Sequence, residues 1–107
     1  MTENSAPTLA DLPAVAADIS GHLHATGVVG EPHVRQTLAL AEEVGEFVGA
    51  VRRHHGMARR AGSFADVEAE LADVVITAFV TAYEMGIDLE KAIGAKLAVV
   101  YERGWRE

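Results

Sequence analysis

Glu42, Glu43 and Glu46 put three carboxylates within five residues of an otherwise apolar stretch, and Glu70 and Asp73 repeat the i, i+3 spacing after a gap of 23 residues. Acids three apart share one face of a helix. Ionised carboxylates crowded at the edge of a core repel one another and lose hydration, so they must protonate or hold a cation. Four of them on two facing helices would make an all-oxygen cage with no Cys and no His in it. Such a cage suits Mg2+, or Mn2+ as its substitute, an ion that keeps waters and takes further oxygens from a phosphate-bearing substrate. A di-iron bundle would use Glu-x-x-His pairs instead, and neither acidic motif has a His three residues on. A single Glu-x-x-Glu is commonplace on a solvated helix. The second pair, which opens an uncharged segment, raises the pattern above that reading.

Two helices must position these acids. The first is predicted over about 33–55, with Leu38, Ala41, Val44, Phe47, Val48 and Val51 as its apolar stripe. At 100° per residue Glu43 falls on the edge of that stripe, Glu46 lies beside it and Glu42 is furthest toward solvent, so Glu43 and Glu46 form the inward pair. The second is predicted over about 63–85, opened by a capping box of Ser63 and Asp66. Glu70, Asp73 and Thr77 share one of its stripes. From Val74 to Tyr83 this helix carries no charge and no polar face, which predicts burial nearly all round, by neighbouring helices or by another copy of the chain.

The remaining elements are helical too. A first helix over about 11–25 tolerates Pro13 because it lies in the first turn, and Leu12, Val15, Ala16, Ile19 and Leu23 keep helical spacing. Gly27-Val28-Val29-Gly30 breaks it, and Pro32 suits the first turn of the next helix. His22, His24 and His33 around this break read as exposed or cap-adjacent. Gly86 stops the third helix, and Asp88 caps a fourth over about 88–103 that places Leu89, Ile93, Leu97 and Val100 inward. No strand signal appears. The fold class is all-α, with residues 1–8 a disordered tail and 9–107 one domain.

Composition narrows the function. The chain has 107 residues and a net charge of -7, with 16 acids against nine Lys plus Arg, a balance that argues against tracking along a nucleic-acid backbone. The absence of cysteine excludes thiolate chemistry and fits a reducing cytoplasm. No export signal or uncharged membrane-length run is present, so no membrane partner is expected. The basic residues are local: Arg52, Arg53, Arg59 and Arg60 lie between the acidic motifs, and Lys91, Lys96, Arg103 and Arg106 lie near the end. Such spots can bind a small polyanion once a cation screens the acids.

Over residues about 33–105 the chain resembles the MazG-like, all-α nucleoside triphosphate pyrophosphohydrolases. Their signature, EExxE followed by ExxD, stands here as Glu42, Glu43 and Glu46, then Glu70 and Asp73. The resemblance implies a four-helix bundle completed by homo-oligomerisation, as a dimer or tetramer, and Mg2+-dependent hydrolysis of a nucleoside or deoxynucleoside triphosphate to the monophosphate and pyrophosphate, in nucleotide-pool housecleaning. It implies Glu43, Glu46, Glu70 and Asp73 as metal ligands, with Glu46 also catalytic and Glu42 in a supporting or base role. A third family element, Lys-x-x-x-Asn-x-x-Arg, is met in part by Lys96 and Arg103. Its Asn position is Val100, which cannot hydrogen-bond to a substrate. Lys96, Arg103, Arg52, Arg53 and Trp105 are the expected substrate-binding residues. Val100 keeps open a related enzyme acting on another diphosphate linkage, such as a phosphoribosyl-ATP. A non-catalytic helical oligomer that binds a nucleotide or protein is the remaining alternative, and a helix-turn-helix fits poorly for want of a basic recognition helix.

Overall fold

The computed structural model describes residues 6–27 and 30–105; the first five residues of the expected 1–8 tail, the Val28-Val29 part of the helix break and Arg106 lie outside them. A 3-10 turn at Leu9–Asp11 leads into four helices, α1 (Leu12–Ala25), α2 (Pro32–His54), α3 (Phe64–Met85) and α4 (Leu89–Glu102), and no strand occurs among the described residues. The boundaries lie within one residue of those read from the sequence, because the residues that mark them do their expected work.

Pro32 occupies the first turn of α2, and Glu31 before it accepts a 2.9 Å hydrogen bond from the Val34 amide. At the start of α3 the Ser63 hydroxyl accepts from the Asp66 amide at 3.1 Å and the Asp66 carboxylate accepts from the Ser63 amide at 3.2 Å, a closed capping box. The far end of α3 is stopped by Gly86 at φ 70°, where the Ile87 amide donates to the Ala82 carbonyl at 2.8 Å and the Gly86 amide to Tyr83 at 3.2 Å. Asp88 then caps α4 by accepting from the Lys91 amide at 3.1 Å. Only the turn at 86–88 separates the two helices.

α2 and α3 pair antiparallel. The Thr81 hydroxyl lies 3.4 Å from the Gln36 carbonyl at one end of the pair, and at the other the chain folds back so closely that a Cβ on Gly62 would sit 2.9 Å from Cβ of Arg53. α1 packs on α3 running parallel to it, with Leu12 bordering Val75 and Ile76 and Ser20 reaching Glu84. The core is small and made of small side chains: Leu12, Ala16, Ala50, Val80 and Ala82.

The packing corrects the expectations for α2 and α4, and on α3 it shows what one chain alone covers. On α2 the face turned to α3 runs through Gln36, Ala39, Glu43, Phe47 and Ala50, whereas Leu38, Ala41, Val44 and Val48 of the expected stripe are exposed. The helix has apolar residues on two sides, and only one side packs within the chain. On α3, Val75 and Tyr83 are exposed although Val80, Thr81 and Ala82 are buried, so a single chain does not enclose the segment all round. On α4, Ile93 and Leu97 are exposed, and so are Val99, Tyr101 and Trp105. A self-contained monomer of 11.4 kDa exposes about 5,800 Å2 by the scaling of surface with mass, and this chain exposes 7876 Å2. These outward apolar faces are part of that surplus.

Candidate metal-binding site

Glu43 and Glu46 project from α2 toward Glu70 on α3, and each of the three offers a carboxylate oxygen within 4.8 Å of the other two. Helical geometry explains the set. Glu43 sits in the middle of the face that packs on α3, and Glu46, nearly one turn on, stands at its exposed edge. The second oxygens of Glu43 and Glu70 are buried with no hydrogen-bond partner. Buried polar atoms are nearly always paired, so these two mark a place for a group that the chain does not itself supply.

The electrostatics agree. Withdrawal from water is the main force holding the Glu43 carboxyl above its ordinary range, joined by the charges of Glu46, Asp73, Glu70 and Glu42. Glu70 is raised for the same first reason, then by Glu46 and Asp73 and by a hydrogen bond with Glu46, against a lowering pull from Arg53. An oxygen-rich, anionic cluster with unpartnered buried acceptors fits a hard divalent cation.

The structure places the other sequence-derived residues around this cluster. Asp73 is exposed and lies outside the close set of three, while its charge is felt by both Glu43 and Glu70. Glu42 is exposed beside it. Arg53 is half-buried at the end of α2, held against Gly49 and Gly62, and is near enough to Glu70 to act on its ionisation. Arg52 points away and donates to the Met57 carbonyl at 3.3 Å. On α4, Lys96 is exposed and Arg103 and Val100 are half-buried. Trp105 is 65% exposed and meets Tyr101 edge to face at a ring separation of 4.7 Å.

A second charged group escaped the sequence reading. Glu84, with a side chain 6% exposed, accepts from the Ser20 hydroxyl at 2.8 Å and from Arg35 at 3.2 Å, and His24 Nε2 lies 3.2 Å away. It ties α1, α2 and α3 together. The hydrogen bond from Ser20 leads the influences that hold its carboxyl below the ordinary value, with His24 and Arg35 adding to it and burial opposing. The signal in the sequence was faint: Glu84 is the charge that closes the uncharged run, and Ser20 and His24 are four apart on α1. Gln36, buried on α2 within the stretch already read as helical, was also passed over.

The MazG nucleotide pyrophosphohydrolase domain family matches residues 32–103, a span that holds all five acids, Arg35, Gln36, Glu84 and α4 and leaves α1 outside. Over 66 residues the chain is 36% identical to a dATP/dGTP diphosphohydrolase of Cyanophage S-2L, which covers 62% of this chain and 51% of that protein. The chain therefore spans about half the length of this curated relative. No solved structure matches it.

Proposed function

Because the chain belongs to the MazG nucleotide pyrophosphohydrolase domain family, we propose that it hydrolyses a nucleoside or deoxynucleoside triphosphate to the monophosphate and pyrophosphate. The observation that carries this reading is the pair of unpartnered, buried oxygens on Glu43 and Glu70 within a cluster of three carboxylates. Glu43, Glu46 and Glu70, with Asp73 completing the set, are the residues to hold a divalent cation, with Mg2+ the first choice by donor chemistry. Such an ion, when bound, would draw phosphate oxygens toward the acids and offset their charge.

The chain's own residues supply the rest. Glu42 and Glu46 orient a water and take its proton as its oxygen attacks the α-phosphorus. The bond from that phosphorus to its bridging oxygen breaks, and pyrophosphate departs with the bonding electrons. Arg53, beside Glu70, is the cation best placed to meet the phosphates. Arg52, Lys96 and Arg103 add positive charge, and Trp105 offers an aromatic face. The named activity of the phage relative makes dATP and dGTP the first substrates to try.

The unit that works is a homo-oligomer, a dimer or a tetramer. Support comes from the uncovered faces of α2, α3 and α4 and from the surplus surface of the single chain. Its place of action is the cytoplasm, where such triphosphates are found; no helix among the described residues is long and apolar enough to cross a membrane. The deciding experiment is Mg2+-dependent pyrophosphate release from a panel of triphosphates, with phosphoribosyl-ATP included because Val100 replaces a polar residue of the family pattern. Turnover of that compound alone would select the related linkage, and no turnover at all would leave a binding protein.

A further inference from the structure

We propose that Gln36 is a specificity-determining residue that reads the edge of the substrate's base, in a cavity between α1, α2 and α3; this rests on the triphosphate reading above. The cavity has a volume of about 350 Å3, within the range of small-molecule pockets. Its apolar walls come from Ile19 and Leu23 of α1 and Ile76 and Val80 of α3, with Arg35, Gln36 and Thr77 as its polar lining. A flat, largely apolar ring with polar atoms on its edge matches that surface, and a phosphate does not.

Gln36 is only 3% exposed, and its carboxamide has no hydrogen-bond partner among the described residues. What is bonded there is its backbone carbonyl, which receives the Thr81 hydroxyl at 3.4 Å. Its oxygen and nitrogen keep a little access through the cavity, unlike the fully buried Oε2 atoms of Glu43 and Glu70, and an amide so nearly withdrawn from water gains from a partner. A ligand that sets an acceptor next to a donor relieves both halves of it at once, and nucleobase edges carry that arrangement. Arg35 lines the same cavity as a donor-only group, fixed in place by Glu84, which favours an edge bearing a carbonyl or ring nitrogen.

The placement suits one ligand spanning both regions. Gln36 stands seven residues before Glu43, so the two share a face of α2 and lie about 10 Å apart along its axis. Thr77 stands one turn beyond Asp73 on α3. The base cavity and the acids would thus follow one another along the same two helices, the base at one end and the phosphates at the other.

The test compares kcat/KM for triphosphates of the five common bases in the wild type, Gln36→Met and Gln36→Glu. Calorimetric binding of the matching monophosphates is measured alongside. Gln36→Met keeps the side-chain volume and removes both polar functions, whereas Gln36→Glu keeps the shape and removes the donor. We expect Gln36→Met to shrink the ratio between best and worst base by about tenfold or more, carried in KM. Gln36→Glu should reorder the bases toward those that present amino groups. If one variant fails to fold, the other still decides. An unchanged ranking in a folded variant, an equal loss for every base, or a wild type indifferent to the base would overturn the proposal. If the wild type cleaves no triphosphate, the hydrolase reading fails separately, and the monophosphate ranking, with its loss in Gln36→Met, still decides the role of Gln36.

Discussion

A single carboxylate, Glu84 on α3, and the acid cluster shared by α2 and α3 meet opposite fates. Glu84 is withdrawn from water, yet Ser20, His24 and Arg35 surround it and its carboxyl stays below the ordinary range. Glu43 and Glu70 are also drawn from water, yet their near neighbours are chiefly further acids and their carboxyls are pushed up. A carboxylate whose counterion belongs to the chain holds the fold together. One whose counterion is missing from the chain burdens the apo fold and is ready to receive a cation from outside. Burial alone does not separate structural acid from working acid; the origin of the compensating charge does.

The contrast can be broken by exchanging what each site lacks or has. The largest expected effect is on turnover: Glu46→Gln should lower kcat/KM by more than the roughly 10–100-fold that follows loss of an outer-shell partner, with the helical circular dichroism spectrum unchanged. A variant that keeps full activity would remove the acids from the chemistry. Next comes stability, with opposite signs at the two sites. Arg35→Met leaves Glu84 buried without its cation and should cost about 3–5 kcal/mol in urea unfolding, whereas Glu43→Gln should raise the melting temperature of the metal-free protein by relieving repulsion. Equal losses from both substitutions would erase the distinction. Added Mg2+ at a hundred times its Kd should stabilise the wild type by about 2.7 kcal/mol, and Glu43→Gln and Glu70→Gln should lose most of that gain.

The smallest effect is on pH. Glu43 and Glu70 are raised above their ordinary value of 4.5, so just above that value the folded protein binds more protons than the unfolded chain, and metal-free stability falls as pH rises through their folded values. Glu84 is depressed below 4.5; its contribution is complete above that value and is lost as pH falls through its folded one. Metal-free thermal unfolding should therefore be most favourable to the fold near pH 4.5, and saturating Mg2+ should remove the decline on the alkaline side. A profile that Mg2+ leaves untouched would mean that the acids bind no cation.

Much of this was legible in the sequence because the informative features were local. Pro32, Ser63 with Asp66, Gly86 and Asp88 act within a few residues of themselves, and they set the helix ends. The pairing of Glu43 and Glu46 with Glu70 followed from helical periodicity and from the uncharged run after Asp73. The packed face of α2 was not legible, since Leu38, Val44 and Val48 form an apolar side as plausible as the true one through Ala39, Phe47 and Ala50. Periodicity measures how apolar a side is and says nothing of which surface covers it. Small residues such as Ala50, fully buried, carry a close helix contact while adding little to hydropathy. The meeting of Arg35 with Glu84, 49 residues apart, depends on tertiary structure alone.

That pair has a further consequence through the helix ends it joins. Arg35 lies in the first turn of α2 and Glu84 in the last turn of α3, so each charge has the same sign as the partial charge of its own helix terminus. Taken singly, both residues oppose their helices. Because the helices run antiparallel, the positive start of α2 lies against the negative end of α3, and each side chain finds the opposite terminus across the interface. The bridge therefore fixes the direction and register of two macrodipoles as well as two side chains, and the reversed pair, Glu at 35 with Arg at 84, would gain about 0.3–1 kcal/mol at each terminus from its own helix while losing Ser20 as a donor to a carboxylate at 84.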